Sequence, residues 1–225
     1  MHIHRLLLLG ALLLALAACS GGDDEPEATE AATTGISPTL EGPGCEAVES
    51  PDPKPDGGQD PPAAGLDTEK TYRLVVETNC GSFTIELDQD TAPKTAASLV
   101  ALAESGFYDG TTFHRVVPGF VIQGGDPTGT GTGGPGYKTV DVPPPGTAYT
   151  QGIVAMAKAG FEEPGTSGSQ FFVVTGPDAG LPAEYAVVGK VTDGLDAVLT
   201  IDSLGTGDGP PSNPVVIEQV TVESS

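Results

Sequence analysis

The chain has 225 residues, with 31 acidic and 9 basic side chains and a formal charge of −22. That balance speaks against nucleic acid as a partner, because phosphate binding needs clustered Lys and Arg. It contains 32 Gly, 21 Pro, no Trp and only 5% aromatic residues, so any core rests on Val, Leu, Ile, Ala and seven Phe.

The N-terminus reads as an address. Met1–Arg5 carries one positive charge and no acid, and Leu6–Ala18 is Leu and Ala apart from Gly10. Thirteen helical residues span about 20 Å, too short for a hydrocarbon core of about 30 Å. A short apolar run behind a basic start has the pattern of an export signal. It ends in Leu16-Ala17-Ala18-Cys19, which resembles the bacterial lipoprotein cleavage box. On that reading residues 1–18 are removed and Cys19 is lipidated. The protein is then exported and held on the extracytoplasmic face of the cell membrane by its acyl chains. An ordinary cleaved signal is the alternative. With Cys19 lipidated, Cys45 and Cys80 are left as an even pair in an oxidising compartment, which predicts a disulfide; two free thiols are the alternative.

Residues 19–69 read as an acidic, Pro-rich disordered tether. Ser20–Glu69 holds 13 Asp or Glu, one Lys and eight Pro, with almost no periodic apolar pattern. Such a stretch buries too little surface to offset the entropy of ordering it. Cys45 alone argues for local attachment. Residues 70–225 differ: 18 acids, 7 bases and recurrent apolar runs suit one domain that buries roughly 70% of its unfolded surface.

Within that domain Tyr72–Glu77 and Ser82–Leu87 alternate apolar and polar residues around the turn Thr78-Asn79-Cys80-Gly81, a hairpin pattern. A helix is expected over Thr91–Ser105, capped by Asp90 or Thr91, with Pro93 in its first turn, Leu99, Leu102 and Ala103 on one face, and Gly106 as its stop. Short β-type runs follow at Thr112–Val117, Phe120–Gln123, Ile153–Ala157, Phe171–Val174, Ala186–Val191 and Val215–Val222. Leu195–Leu204 is a second helix candidate. Many short strands and two helices suggest a mainly β fold, a closed antiparallel barrel capped by helices.

Several chemistries are excluded. His114 is the sole histidine after the leader, so no metal site of the HExxH or multi-histidine kind is expected. Gly165-Thr166-Ser167-Gly168-Ser169 lacks the final Gly of a nucleophile elbow. Gly129–Gly134 matches G-x-G-x-x-G, yet Pro135-Gly136 follows where a dinucleotide fingerprint needs a helix. It reads as a Gly-rich loop beside a site.

Phe113–Asp126 (FHRVVPGFVIQGGD), Gly152–Ala159 (GIVAMAKA) with Gly168–Val173 (GSQFFV), and Ala186–Val191 (AVVGKV) stand in order along the chain. Together they resemble the signature blocks of the cyclophilin-type peptidyl-prolyl cis-trans isomerases, over roughly Thr71–Val222. The resemblance implies a closed eight-stranded antiparallel β-barrel capped by two α-helices, with a groove for proline-containing peptides on its outer face. It implies an isomerase with no cofactor; with the leader, its substrates are expected to be folding exported proteins, and a monomer is expected.

That chemistry breaks no bond, so it needs neither nucleophile nor metal. It favours a twisted amide whose nitrogen has regained a lone pair. Arg115 occupies the family's catalytic position, and its guanidinium donates at any ordinary pH. Phe120 and Gln123 complete the implied catalytic set. The resemblance places Val121, Phe172, Leu181 and Tyr185 with Phe120 in the proline pocket, and Gly131, Ala157, Lys158, Ala159 and Gln170 along the floor and rim that bind peptide backbone. His114 is expected to be structural. This chain departs from common family choices with Val121 for Met, Lys158 for Asn (a change of rim charge), Tyr185 for His and Gly180 for Trp. A non-catalytic binder of proline-containing segments is the main alternative function, and a solute-binding lipoprotein a second; a pure binder has no need of Arg115.

Overall fold

The computed structural model describes residues 44–225. The leader, Cys19 and the first part of the expected tether lie outside the described residues.

The chain begins its sheet with a hairpin, β1 (Tyr72–Thr78) and β2 (Gly81–Leu87), in which Val76 faces Phe83 and Leu74 faces Ile85. All four are buried, as the alternation demands when one face of a strand pair meets a core. Helix α1 (Pro93–Glu104) follows. Its end is a Schellman motif: Gly106 N–H bonds Ala103 O at 3.0 Å, Phe107 N–H bonds Leu102 O at 3.0 Å, and Gly106 has φ 69°. Its start differs from expectation. Ala92 is the N-cap and makes no side-chain cap bond. Asp88 instead takes the N–H groups of Asp90 and Thr91 upstream, and Asp141, 46 residues away, accepts the Thr95 N–H and hydroxyl at 2.7 Å each. A cap supplied across the fold leaves no local signature.

The remaining elements are β3 (Thr111–Thr112), β4 (Arg115–Val117), β5 (Val121–Gly124), β6 (Thr139–Val140), β7 (Ile153–Met156), β8 (Thr166–Ser167), β9 (Phe171–Val174), β10 (Val187–Asp193), α2 (Leu195–Asp202) and β11 (Val216–Ser224). Nine strands form one antiparallel sheet in the order β3-β11-β1-β2-β10-β7-β9-β5-β4, and β6 pairs with β8. The sheet curls, because its two end strands β3 and β4 are separated by only Phe113 and His114 in the chain. This differs from the expected closed ring of eight: the run read as one strand, Thr112–Val117, is broken in two. Phe113 and Val116 are both buried in the core, an odd spacing that a single period-2 strand cannot satisfy.

The larger core cluster packs α1 and α2 against the inner sheet face, with Leu99, Leu102, Phe107, Phe113, Ile122, Met156, Phe171, Val198 and Ile201 among its members. Each such side chain contributes about 1.5–3 kcal/mol on burial. A second, smaller cluster of Val121, Tyr149, Ala155, Phe172 and Val174 sits on the opposite face of the same strands.

Residues 44–69 contain no helix or strand, but they are not the free tether expected of their composition. They belong to the same compact unit as the domain. Cys45 is disulfide-bonded to Cys80, Glu46 N–H bonds Asn79 O at 2.7 Å, and Leu66 packs on the main core. Backbone groups and isolated side chains make these attachments, so no apolar period announces them.

Candidate active site

Strand parity builds the site. Ile122 and Phe171 point into the main core, so their neighbours Val121, Gln123 and Phe172 must face the other way. Register then aligns them: Arg115 opposes Gln123, Gln123 opposes Phe172, Phe172 opposes Ala155, and Ala155 opposes Val187. One row of side chains thus crosses β4, β5, β9, β7 and β10 on the outer face. The β4–β5 hairpin fixes this register through a turn at Pro118-Gly119, with Phe120 N–H on Val117 O at 3.0 Å and Gly119 at φ 69°. Pro followed by a positive-φ Gly is what a type II turn requires.

Beside the row lies a cavity of about 250 Å³ lined by Arg115, Phe120, Val121, Gln123, Ala157, Lys158, Phe172, Leu181 and Tyr185. Clefts of about 460 and 410 Å³ elsewhere on the surface have no aromatic wall. Phe172 and Tyr185 meet edge to face, with centroids 5.7 Å apart. Tyr149, fully buried behind them, donates its hydroxyl to Tyr185 O at 2.8 Å and accepts Tyr185 N–H at 3.0 Å. Tyr149 therefore fixes the backbone from which the Tyr185 ring projects, and burial raises the Tyr149 pKa above its ordinary value.

The Arg115 guanidinium is held on two sides. Nε and one NH2 proton donate to the Asp208 carboxylate at 2.6 and 3.1 Å, while NH1 donates to Gln123 Oε1 at 3.2 Å. The Phe120 ring centroid is 6.0 Å from Cζ. Three of five N–H groups are used, which leaves one on each terminal nitrogen for a ligand. Asp208 lies in the loop after α2, drawn in where Val116 N–H bonds Gly209 O at 2.8 Å. The hydrogen bond from Arg115, then its charge, holds the Asp208 carboxyl below its ordinary range. The pair is exposed, 30% at Arg115 and 68% at Asp208, so its contribution is orientation more than stability.

Lys158 differs from the expected rim charge. Its side chain is 3% exposed, bonded to Glu184 at 3.2 Å and to Glu162 O at 3.2 Å, with the ammonium 5.4 Å from the Tyr185 ring centre. It is a wall, and the charge on the rim is Glu184. Ala159 and Gly131 lie outside the cavity lining. Ala159 N–H is held by Glu162 at 2.6 Å in the loop that turns outward at the exposed Phe161. Gly131 sits on the Gly-rich loop against the His114 ring. Gln170 reaches the site through Gln123, whose Nε2 donates to Gln170 Oε1 at 3.0 Å. Asp126, buried beneath the Gly-rich loop, accepts N–H groups from Thr128, Gly131 and Gly133. Burial works to raise its pKa, and these donors outweigh it and hold the carboxyl below its ordinary value. Sequence reasoning missed Asp208, Tyr149 and Asp126. Asp208 sits 93 residues from its partner in a Gly- and Pro-rich loop that marks a turn and nothing more, and Tyr149 carries no local pattern. Asp126 stands within a quoted motif, but only the folded loop discloses its donors.

The family model described as cyclophilin type peptidyl-prolyl cis-trans isomerase/CLD matches residues 73–222. The peptidyl-prolyl cis-trans isomerase A of Mycobacterium tuberculosis is 43% identical over 171 residues, covering 68% of this chain and 92% of the relative. Peptidyl-prolyl cis-trans isomerase B of Streptomyces anulatus is 42% identical over 173 residues, covering 66% and 95%. A solved cyclophilin type peptidyl-prolyl cis-trans isomerase of Cryptosporidium parvum, crystallised in the presence of the dipeptide Ala-Pro, superposes with a TM-score of 0.62 at 35% identity, covering 68% of this chain and 99% of that one.

Proposed function

We propose that this chain, which belongs to the cyclophilin-type peptidyl-prolyl cis-trans isomerases, uses the Arg115 guanidinium to stabilise the twisted X-Pro amide of exported proteins. It is an isomerase, and its family acts on proline-containing substrates. The carrying observation is the guanidinium fixed by Asp208 and Gln123 at the mouth of an aromatic-walled cavity.

The proline ring enters between Phe120, Phe172, Leu181 and Tyr185, where apolar walls replace water. The substrate carbonyl and the imide nitrogen then meet the two free guanidinium N–H groups. An X-Pro bond has a barrier of about 18–20 kcal/mol because rotation destroys amide resonance. In the rotated state the nitrogen holds a lone pair and accepts a hydrogen bond that the planar amide does not. A donor held in place gains strength only in that state, which is the condition for lowering the barrier. A reduction of about 7 kcal/mol would correspond to about 10⁵-fold. The solved Cryptosporidium parvum relative was crystallised in the presence of Ala-Pro, which supports a proline-containing ligand.

Arg115→Ala is expected to lower kcat/KM by about 10²-fold or more in a protease-coupled proline-peptide assay, with an unchanged circular dichroism spectrum. Equal activity would overturn the role of Arg115, and an inactive wild-type chain would return the pure binder.

Localisation belongs to the same reading. Leu16-Ala17-Ala18-Cys19 behind a short apolar run supports export, lipidation of Cys19 and anchoring on the extracytoplasmic membrane face, with a monomeric domain displayed outward. A disulfide between Cys45 and Cys80 suits that compartment.

A further inference from the structure

The segment 44–69 precedes the residues matched by the family model, and it is docked on the Gly-rich loop that Gln170 joins to the active site. Lys54 is its buckle. The Lys54 backbone N–H bonds Pro127 O at 2.8 Å. Its ammonium donates to three carbonyls at the end of α1, Gly106 at 3.0 Å, Phe107 at 2.7 Å and Asp109 at 3.0 Å. Three donors meet three acceptors, so this partly buried charge is fully satisfied. Next in the chain, Asp56 and Gly57 take both polar groups of a single residue on the Gly-rich loop. Gly134 N–H donates to Asp56 Oδ1 at 2.9 Å, and Gly57 N–H donates to Gly134 O at 2.9 Å. Gln59 N–H adds a bond to Pro135 O at 3.0 Å. A Cβ on Gly136 would stand 3.1 Å from Gly57 Cα and from Gly58 N, so the two backbones touch where only glycine allows it.

From Gly134 the grip continues to the guanidinium. The preceding carbonyl, Gly133 O, accepts Gln170 Nε2 at 2.9 Å; Gln170 Oε1 accepts Gln123 Nε2 at 3.0 Å; Gln123 Oε1 accepts Arg115 NH1 at 3.2 Å. Every amide in this relay donates with its nitrogen and accepts with its oxygen in one direction. Turning either one over would set donor against donor, so the relay has one orientation, and the Gly133 carbonyl sets it.

We propose that the Lys54–Gln59 strap positions Arg115, by fixing the Gly133–Gly134 peptide from which the Gln170–Gln123 relay holds the guanidinium. Lys54 and Asp56 are positioning residues for the isomerase reaction; neither lines the cavity. Asp126 grips the same loop from inside through Gly131 and Gly133. The strap's share is therefore the outer edge of the loop, the side that carries the carbonyl used by Gln170. The inference rests on the reading of Arg115 as the group that meets the substrate.

The test compares Asp56→Ala, Asp56→Asn and Lys54→Met in the full chain. Two readouts are taken: kcat and KM with a short proline peptide, and the side-chain amide resonances of Gln123 and Gln170. Asp56→Ala and Lys54→Met are expected to lower kcat by about threefold to tenfold with KM little changed, as a displaced catalytic group does, and to shift both amide resonances. Asp56→Asn keeps an acceptor oxygen and is expected to restore both. Unmoved resonances in Asp56→Ala and Lys54→Met would overturn the proposal whatever the activity. Shifted resonances with unchanged kcat, in a protein whose Arg115→Ala variant is inactive, would overturn it too. Should Arg115→Ala itself remain active, the failure belongs to the assigned role of Arg115, and the resonances still report whether the strap holds the relay.

Discussion

At the scale of single residues, the site is a set of polar groups answered by one another, apart from the two Arg115 N–H groups left for a ligand and the His114 ring. Both ring nitrogens of His114 are buried without a hydrogen-bond partner. Burial, reinforced by the Arg115 charge and opposed by the Asp126 carboxylate and by the polar groups of Thr112 and Gln170 beside the ring, pulls its pKa below the ordinary 6.5. The folded protein therefore keeps His114 neutral at a pH where the unfolded chain already binds a proton, and the unfolded state gains as pH falls through about 6.5. The carboxyls held low in the fold, Asp126, Glu162 and Asp208, act with the same sign but only around and below about pH 4–5. His114 is the sole histidine after the leader, so the window between about pH 6.5 and 5 belongs to it. Thermal melts should show the wild-type midpoint falling from pH 7 to about 5.5, with a shallower fall in His114→Gln. Parallel slopes would contradict the burial argument. Arg115 was legible in the sequence because its motif is dense. Asp208, which aims it, was not, because a bidentate pair formed across 93 residues has no local spacing to read.

Elements were legible where a period repeats often enough. Phe171–Val174 falls where expected, β1 and β2 within a residue at each end, and α2 starts where expected at Leu195 and ends two residues early. The strands β6 and β8, two residues each, are too short to carry a period. The break between β3 and β4 depends on Phe113 and Val116 both turning inward, which only the folded core decides. The strap was least legible of all, since one Lys and a handful of backbone bonds hold it. Its fixed end is the disulfide between Cys45 and Cys80, 35 residues apart in the chain. Closing a loop of that length removes unfolded-state entropy worth about 3–4 kcal/mol. Urea denaturation of the Cys45→Ser/Cys80→Ser double variant should show a loss of about 2–4 kcal/mol. A loss within the scatter of a surface substitution, about 0.5 kcal/mol, would mean that the strap's other bonds suffice to hold it.

At the scale of the whole molecule, the disulfide sets how far the domain can stand from the proposed anchor. With Cys45 joined to Cys80, the span between the proposed lipid at Cys19 and the domain is residues 20–44, where composition had suggested 20–69. Twenty-five residues reach at most about 85 Å even when fully extended, half the distance the longer span would allow. Charge decides how the molecule is retained. At −22, the protein has no net attraction to the negative surface of anionic lipid, where each added Lys or Arg would contribute about 1 kcal/mol. On the proposed localisation, membrane residence would then depend on acyl chains alone, two or more of which give stable anchoring where one is marginal. Fractionation at low ionic strength is the stringent condition, because any electrostatic binding is strongest there. Wild-type protein is expected in the membrane fraction and to enter the detergent phase on extraction. Cys19→Ser, which has no sulfur to acylate, is expected in the soluble fraction, with its isomerase activity intact because the site lies in the domain. Retention of Cys19→Ser on membranes at low salt would show that some surface other than the lipid holds the protein, and the anchoring reading would fall while the isomerase stands.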